Sequence, residues 1–212
     1  MTLADLIARN NPAVEPAPND STPDEPRAFR WTRDAYYQLY DQGVFDGRRV
    51  ELLDGEIIEM PAQKNAHAWA ITSTERQLRP AAEPGNWIRT QMPLNLSQWS
   101  DPEPDVAVVP GSFESWKGKA HPTTALLVVE VSDKTLAFDR RVKSALYAAA
   151  GLREYWIVNL VDHQLEVHRD PMPDRANARA SRYATVTRLA AGEAVSPLAF
   201  PDARVAVADL IA

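Results

Sequence analysis

LLVVEVSDKT, residues 126–135, carries one carboxylate, Glu130, inside a run that is otherwise apolar up to Val131. Alternation along an extended strand puts Leu126, Val128 and Glu130 on one face and Leu127, Val129 and Val131 on the other. Both faces are apolar, the pattern of a strand covered on both sides. An ionised carboxylate there is costly unless a cation, a metal or an opening to solvent compensates. The stretch therefore predicts a covered central strand that ends at a charged site.

Working outward, Asp139 to Ala150 has helical spacing, and Gly151 supplies a C-terminal stop. Tyr155–Leu160 and Leu165–His168 read as strands joined by a turn over Val161–Gln164, and Tyr183–Leu189 as a late strand. Upstream, Asp105–Val109 and Trp87–Leu96 read as strands, with Pro104 at a strand entrance where its missing N–H does least harm. Residues 65–79 have helical spacing that Pro80 should stop. Asp54-Gly55 between two apolar-rich runs predicts a hairpin with a type I′ turn. Thr32 can cap a helix through about Tyr40, with Gly43 just beyond its end. The sum is an α/β (α+β) fold: a central mixed sheet flanked by helices, with an extra N-terminal hairpin.

Residues 11–27, NPAVEPAPNDSTPDEPR, are rich in proline and acid and bury too little to offset ordering. Residues 1–28 are accordingly expected to be a flexible extension, and 29–212 a single domain. The 212 residues are 45% hydrophobic and 25% charged, ordinary for a soluble globular chain. There is no cysteine, which excludes disulfides, thiolate metal sites and a cysteine nucleophile, and fits a reducing cytoplasm. No apolar run approaches a membrane span, and the N-terminus lacks the pattern of a secretory signal. A net charge of −6 argues against a high-affinity, non-specific nucleic-acid binder, but not against an enzyme with a local basic cluster.

Asp105 and Glu51 repeat the anomaly of Glu130. Each sits at or in an apolar strand with little polar company. Three such carboxylates could converge on a hard divalent ion that prefers oxygen ligands. On the following helix, Asp139, Lys143, Tyr147 and Gly151 fall at four-residue intervals and form one stripe. The Lys143 ammonium then either reaches the carboxylates of the preceding strand or pairs with Asp139 on the surface. His67 shares a stripe with Ile71 and Leu78, so it is either a half-buried structural histidine or a contact to phosphate or water. Tyr147 is expected to pack, with its hydroxyl supporting the site. Tyr155 and Trp156 are expected to be core.

The order of these motifs resembles the PD-(D/E)XK nucleases, and more closely their Uma-type branch of bacterial restriction endonucleases. The residues that carry it are Glu51-Leu52-Leu53-Asp54-Gly55, His67, Pro104-Asp105, Glu130-Val131-Ser132, then Thr135, Asp139, Lys143, Tyr147, Gly151 and Glu154-Tyr155-Trp156. They span roughly residues 29–170. The superfamily's lysine stands two residues after the strand glutamate; here that position is Ser132. In this branch the lysine resides on the helix, which makes Lys143 its counterpart. Ser132-Asp133-Lys134-Thr135 departs from the more usual Ser-Pro-Ser-Thr, and Asn159 stands where an Asp is frequent.

The resemblance implies a Mg²⁺-dependent endonuclease acting on DNA, with Mn²⁺ as a possible substitute. It implies Asp105, Glu130 and the Val131 carbonyl as metal ligands, Lys143 as the group that orients water or stabilises developing charge, and Glu51 as a third ligand or neighbour. His67, Ser132, Asp139 and Tyr147 would support them. A homodimer is expected because two strands must be cut. Two other classes stay open: a non-catalytic nuclease-fold interaction module, and a hydrolase of smaller phosphate esters.

Overall fold

The structure is a computed structural model, and it describes Pro26 and residues 28–211. The expected extension over 1–28 lies almost wholly outside the described residues. Helix α1 spans Arg33–Asp41, and the Thr32 hydroxyl accepts the Ala35 amide as its N-cap. Strands β1 (Val50–Leu53) and β2 (Glu56–Glu59) form the predicted hairpin. Asp54 and Gly55 have φ of 49° and 79°, the pair of positive values a type I′ turn requires. At Gly55 a Cβ would lie 2.7 Å from that of Arg30, so the position also demands the absence of a side chain.

Helix α2 (Asn65–Ala82) is followed by β3 (Asn86–Thr90), β4 (Val106–Pro110) and β5 (Leu127–Ser132). A helical segment, α3, then runs in three parts: Leu136–Phe138, a π-helical stretch Asp139–Lys143, and Ser144–Ala149. It closes as a Schellman motif, with Gly151 N–H donating to Ala148 O and Leu152 N–H to Tyr147 O at 3.0 and 3.1 Å. Gly151 takes the left-handed φ of 71° that this motif needs. Strands β6 (Glu154–Asn159), β7 (Gln164–Met172) and β8 (Arg182–Ala190) complete the main sheet. Two short strands, β9 (Ala194–Val195) and β10 (Val205–Ala206), pair with each other.

The six-stranded sheet has the order β3-β4-β5-β6-β7-β8. Only β5 and β6 are parallel, and α3 is the crossover that joins them; every other pair is antiparallel. One face packs Leu127, Val129, Val131 and Trp156 against Ala70, Ile71 and Leu78 of α2. The other packs Val128, Tyr155 and Ile157 against Tyr147 and Ala148 of α3. The sheet is therefore covered on both faces, as the reading of residues 126–131 predicts. Leu126 is the exception: it precedes the strand and packs with the α2 face.

Three boundaries differ from the sequence reading. Pro80 does not end α2, which continues to Ala82. So near the C-terminus the proline removes one ladder bond, and Glu83 N–H still closes onto Arg79 O at 3.0 Å. Strand β3 stops at Thr90 instead of Leu96, because Gln91 adopts a φ of 52° that turns the chain out of the sheet. Strand β7 runs past His168 to Met172. Beyond Arg169 it has no partner on the β6 side, so Pro171 interrupts no ladder there.

His168 lies on the α3 face between Tyr155 and Tyr183, with ring centroids 5.3 and 5.8 Å away. Burial pushes its imidazole down to about 4; nearby Glu166 opposes this, while Arg188 and Arg140 reinforce it. A histidine kept neutral by the fold takes up protons more readily when unfolded. Its contribution is intact above its ordinary value of 6.5 and is lost as pH falls toward 4. His168→Phe should therefore remove part of the acid sensitivity. Between pH 6.5 and 4 the variant should lose less stability than the wild type, by roughly 3 kcal/mol at most. Urea unfolding at both pH values measures the difference.

Candidate active site

The register of the sheet assembles an acidic rung. Val106 pairs with Val129, so the next position brings Asp105 beside Glu130, and Glu130 in turn pairs with Ile157 of β6. The two acids hold each other through the backbone. Asp105 N–H donates to Glu130 Oε2 at 3.3 Å, and Val131 N–H donates to Asp105 Oδ2 at 2.9 Å. Asp105 Oδ1 accepts from the Gln91 side-chain amide at 3.3 Å, and His67 Nε2 lies 3.3 Å from Asp105 Oδ2. Glu130 Oε1 accepts from Tyr147 Oη at 2.6 Å.

α3 supplies the cation. Lys143 is fully buried (0% exposed), its Nζ bonded to Glu51 Oε2 and 3.2 Å from Glu130 Oε1. The alternative pairing with Asp139 does not form. Asp139 instead accepts the hydroxyls of Ser132 and Thr135, each at 2.7 Å. The π-helical stretch explains how both residues turn inward: Ser144 N–H reaches back five residues to Asp139 O. Ser132 thus anchors, through Asp139, the helix that carries Lys143.

Glu51 enters from the hairpin. Leu52 O accepts Asp101 N–H at 2.8 Å, which ties β1 to the segment leading into Asp105. Glu51 is 1% exposed, and its Oε1 is buried with no hydrogen-bond partner. Lys134, the other lysine near the strand, is exposed in the connecting loop.

The electrostatics follow from four buried acids, Glu51, Asp105, Glu130 and Asp139, around one ammonium. Burial, aided by the charges of Asp105, Asp139 and Glu51, pushes Glu130 up to about 8 against the pull of Lys143. Burial pulls Lys143 down, but Glu130 and Glu51 outweigh it and hold the ammonium charged, above the ordinary lysine range. Asp139 is raised by burial, with the hydroxyl bonds from Thr135 and Ser132 opposing. The Tyr147 phenol is driven well above its usual value by burial and by Glu130, so it remains a donor. The cluster is short of positive charge.

Every site residue named from the sequence falls in this cluster: Glu51, His67, Asp105, Glu130, Val131, Ser132, Asp139, Lys143 and Tyr147. Gln91 was not foreseen. Its only signal is a polar residue before Met92-Pro93, and its role depends on the turn that ends β3. Asn159, where the resemblance has an Asp, turns out to shape the β6–β7 turn. Its side-chain oxygen accepts the Val161 and Asp162 amides at 3.0 and 2.9 Å, and its nitrogen donates to Glu166 at 2.8 Å.

A mixed sheet with one acid on the central strand, a second at the entrance to the neighbouring strand and a lysine on the crossover helix is a restriction-endonuclease-like arrangement. A solved structure from Anabaena variabilis ATCC 29413, described as a "putative nuclease belonging to DUF820", shares the fold. It superposes with a TM-score of 0.61 at 13% identity, over 84% of this chain and 96% of that one. The chain belongs to the Uma2 family, described as "Putative restriction endonuclease", which it matches over residues 33–208. No curated protein matches it.

The buried triad makes a sharp prediction. Lys143→Met strands Glu51 and Glu130 without their cation and should destabilise the protein by about 3–5 kcal/mol. Adding Glu51→Gln should return part of that loss. Chemical denaturation of the two variants and the wild type checks both statements.

Proposed function

We propose that this protein is a metal-dependent endonuclease that hydrolyses phosphodiester bonds, with DNA as substrate. The observation that supports this best is the buried, charge-deficient pairing of Asp105 and Glu130 beside Lys143, in a chain of the Uma2 family.

The donor set fits a hard cation. Asp105 and Glu130 offer carboxylate oxygens, and Glu51 Oε1 is a buried acceptor without a donor. In an extended strand the N–H and C=O of one residue point to the same edge. The Val131 carbonyl therefore points, with its amide, toward Asp105. Among the described residues no three histidine or carboxylate groups converge on one point. Mg²⁺ is commonly held by one or two carboxylates plus waters, and two carboxylates with a carbonyl suit it, with Mn²⁺ as a substitute. Such an ion supplies Lewis acidity: it neutralises phosphate charge and lowers the pKa of water.

The residues of the chain do the rest. Asp105 and Glu130 would hold the ion, and the Gln91 and Val131 N–H groups fix the Asp105 carboxylate. Tyr147 orients Glu130 through Oε1. Lys143 keeps its proton at Nζ beside Glu130, placed to donate to an attacking water or to a phosphate oxygen whose charge grows. Glu51 holds that ammonium in place. His67, at the mouth of the site on the first turn of α2, is positioned to contact phosphate or water next to Asp105. The covered sheet faces keep bulk water from this network.

A homodimer follows if both strands of a duplex are cut, and sizing chromatography measures it. A second reading, a non-catalytic module that retains the fold, draws on the net charge of −6. Calorimetric titration with Mn²⁺ separates the two, since a bare scaffold binds none. Asp105→Asn and Glu130→Gln should each lower Mg²⁺-dependent plasmid nicking by at least ~100-fold while circular dichroism stays that of the wild type. Undiminished cleavage by the purified Glu130→Gln protein would overturn the assignment.

A further inference from the structure

The far end of the same sheet face carries an aromatic and basic ledge that the chemistry above does not use. On β3, Trp87 and Arg89 alternate onto the α3 face, the face of Asp105 and Glu130, with Arg89 buried beneath the ledge. Trp87 pairs with Val109, four residues along β4 from Asp105, which places it roughly 13 Å from the acidic rung. Beside it, the loop after β4 forms a short 3₁₀ turn, Phe113–Trp116. Phe113 sits edge-on to Trp87 with centroids 5.3 Å apart, yet is 64% exposed. The Trp116 indole N–H donates to Pro110 O at 3.0 Å, and the Lys119 ammonium lies 5.5 Å over its ring. The Arg89 guanidinium lies 4.8 Å from the centre of the Trp87 ring.

A phenylalanine so exposed loses nothing by being covered, and nothing among the described residues covers it. The sequence of the loop, GSFESWKGKAH over 111–121, brings Lys117 and Lys119 against one acid, Glu114. Neither lysine pairs with an acid among the described residues, in a chain whose net charge is −6. Gly111 and Gly118, both at positive φ, let the loop turn away from the sheet and back. An exposed ring flanked by unpaired cations is a surface on which a base stacks while phosphates are neutralised.

We infer that Phe113, Trp116, Lys117 and Lys119 form a docking platform for an unpaired nucleic-acid segment flanking the bond to be cut. Phe113 offers the stacking surface, Trp116, partly buried against the core, anchors the turn that presents it, and the two lysines take phosphates. The distance to Asp105 corresponds to a few nucleotides, so one strand can occupy the platform and the acidic rung together. The inference rests on the nuclease reading for its substrate, but not for its test.

The test is fluorescence anisotropy with a fluorescein-labelled oligothymidylate in EDTA, where no cleavage occurs. The triple variant Phe113→Ala, Lys117→Ala, Lys119→Ala should bind at least about tenfold more weakly than the wild type. Its log–log salt dependence should flatten by about 1.4, from roughly 0.7 per lost phosphate contact on a single strand. Phe113→Trp should bind as well as the wild type. In the presence of Mg²⁺ the triple variant should show a raised KM with kcat unchanged. Equal affinity of the triple variant and the wild type, or no binding by the wild type, overturns the platform and leaves the ledge as a surface for a protein partner. Platform-dependent binding without any Mg²⁺-dependent cleavage supports the platform and overturns the catalytic reading instead.

Discussion

The ammonium of Lys143, buried between Glu51 and Glu130, is the contact on which the arrangement depends. It joins three separately formed pieces of the fold: the N-terminal hairpin, the central strand and the crossover helix. Each brings a group that could not be buried alone. An isolated ammonium or carboxylate in this interior would cost several kcal/mol. Together they make the interior tolerable, and the hairpin gains a reason to sit over the sheet that its short apolar strands would not supply. The geometry around this contact is correspondingly over-determined. Ser132 and Thr135 hold Asp139, the π-helical turn sets the direction of Lys143, and the Leu52–Asp101 bond holds the strand of Glu51.

Much of this could be read from residue order. The charge inside residues 126–131 announced a covered strand with a site at its end, and the sheet is indeed packed on both faces there. The Asp54-Gly55 turn, the Thr32 cap and the Gly151 stop are local chemistry, and local chemistry is what a sequence displays most directly. The boundaries that differ from the sequence pattern depend on what a residue meets in space. Pro80 is tolerated because little helix remains to be broken, Pro171 because the neighbouring strand has already ended. Gln91 leaves the sheet through a backbone conformation that glutamine rarely announces.

The geometry of the candidate site was legible in part, for the same reasons. The four-residue stripe on α3 predicts that Asp139, Lys143 and Tyr147 share a face, and they do. What the stripe alone could not decide is the partner of Lys143, because a surface pair with Asp139 uses the same spacing. The hydroxyls of Ser132 and Thr135 decide it by occupying Asp139. Nothing in the residue order marks Gln91, because its amide reaches Asp105 only after the chain has turned away from β3. Glu51 could be suspected from its apolar neighbours, but its pairing with Lys143, 92 residues away, is a tertiary fact.

Where β4 and β5 part, the ladder of backbone bonds does not stop; it changes partners. The Asp105 amide and the Val131 amide are both taken by carboxylates, each acid serving as the missing strand for the other. The end of the central sheet is thus stitched by the same oxygens that make the site acidic. A proton gained or lost there is felt in the splay of two strands as well as in the chemistry. Slow amide exchange at Asp105, whose N–H is held by Glu130, would then act as a gauge of the charge on that carboxyl, read from the backbone without any substrate.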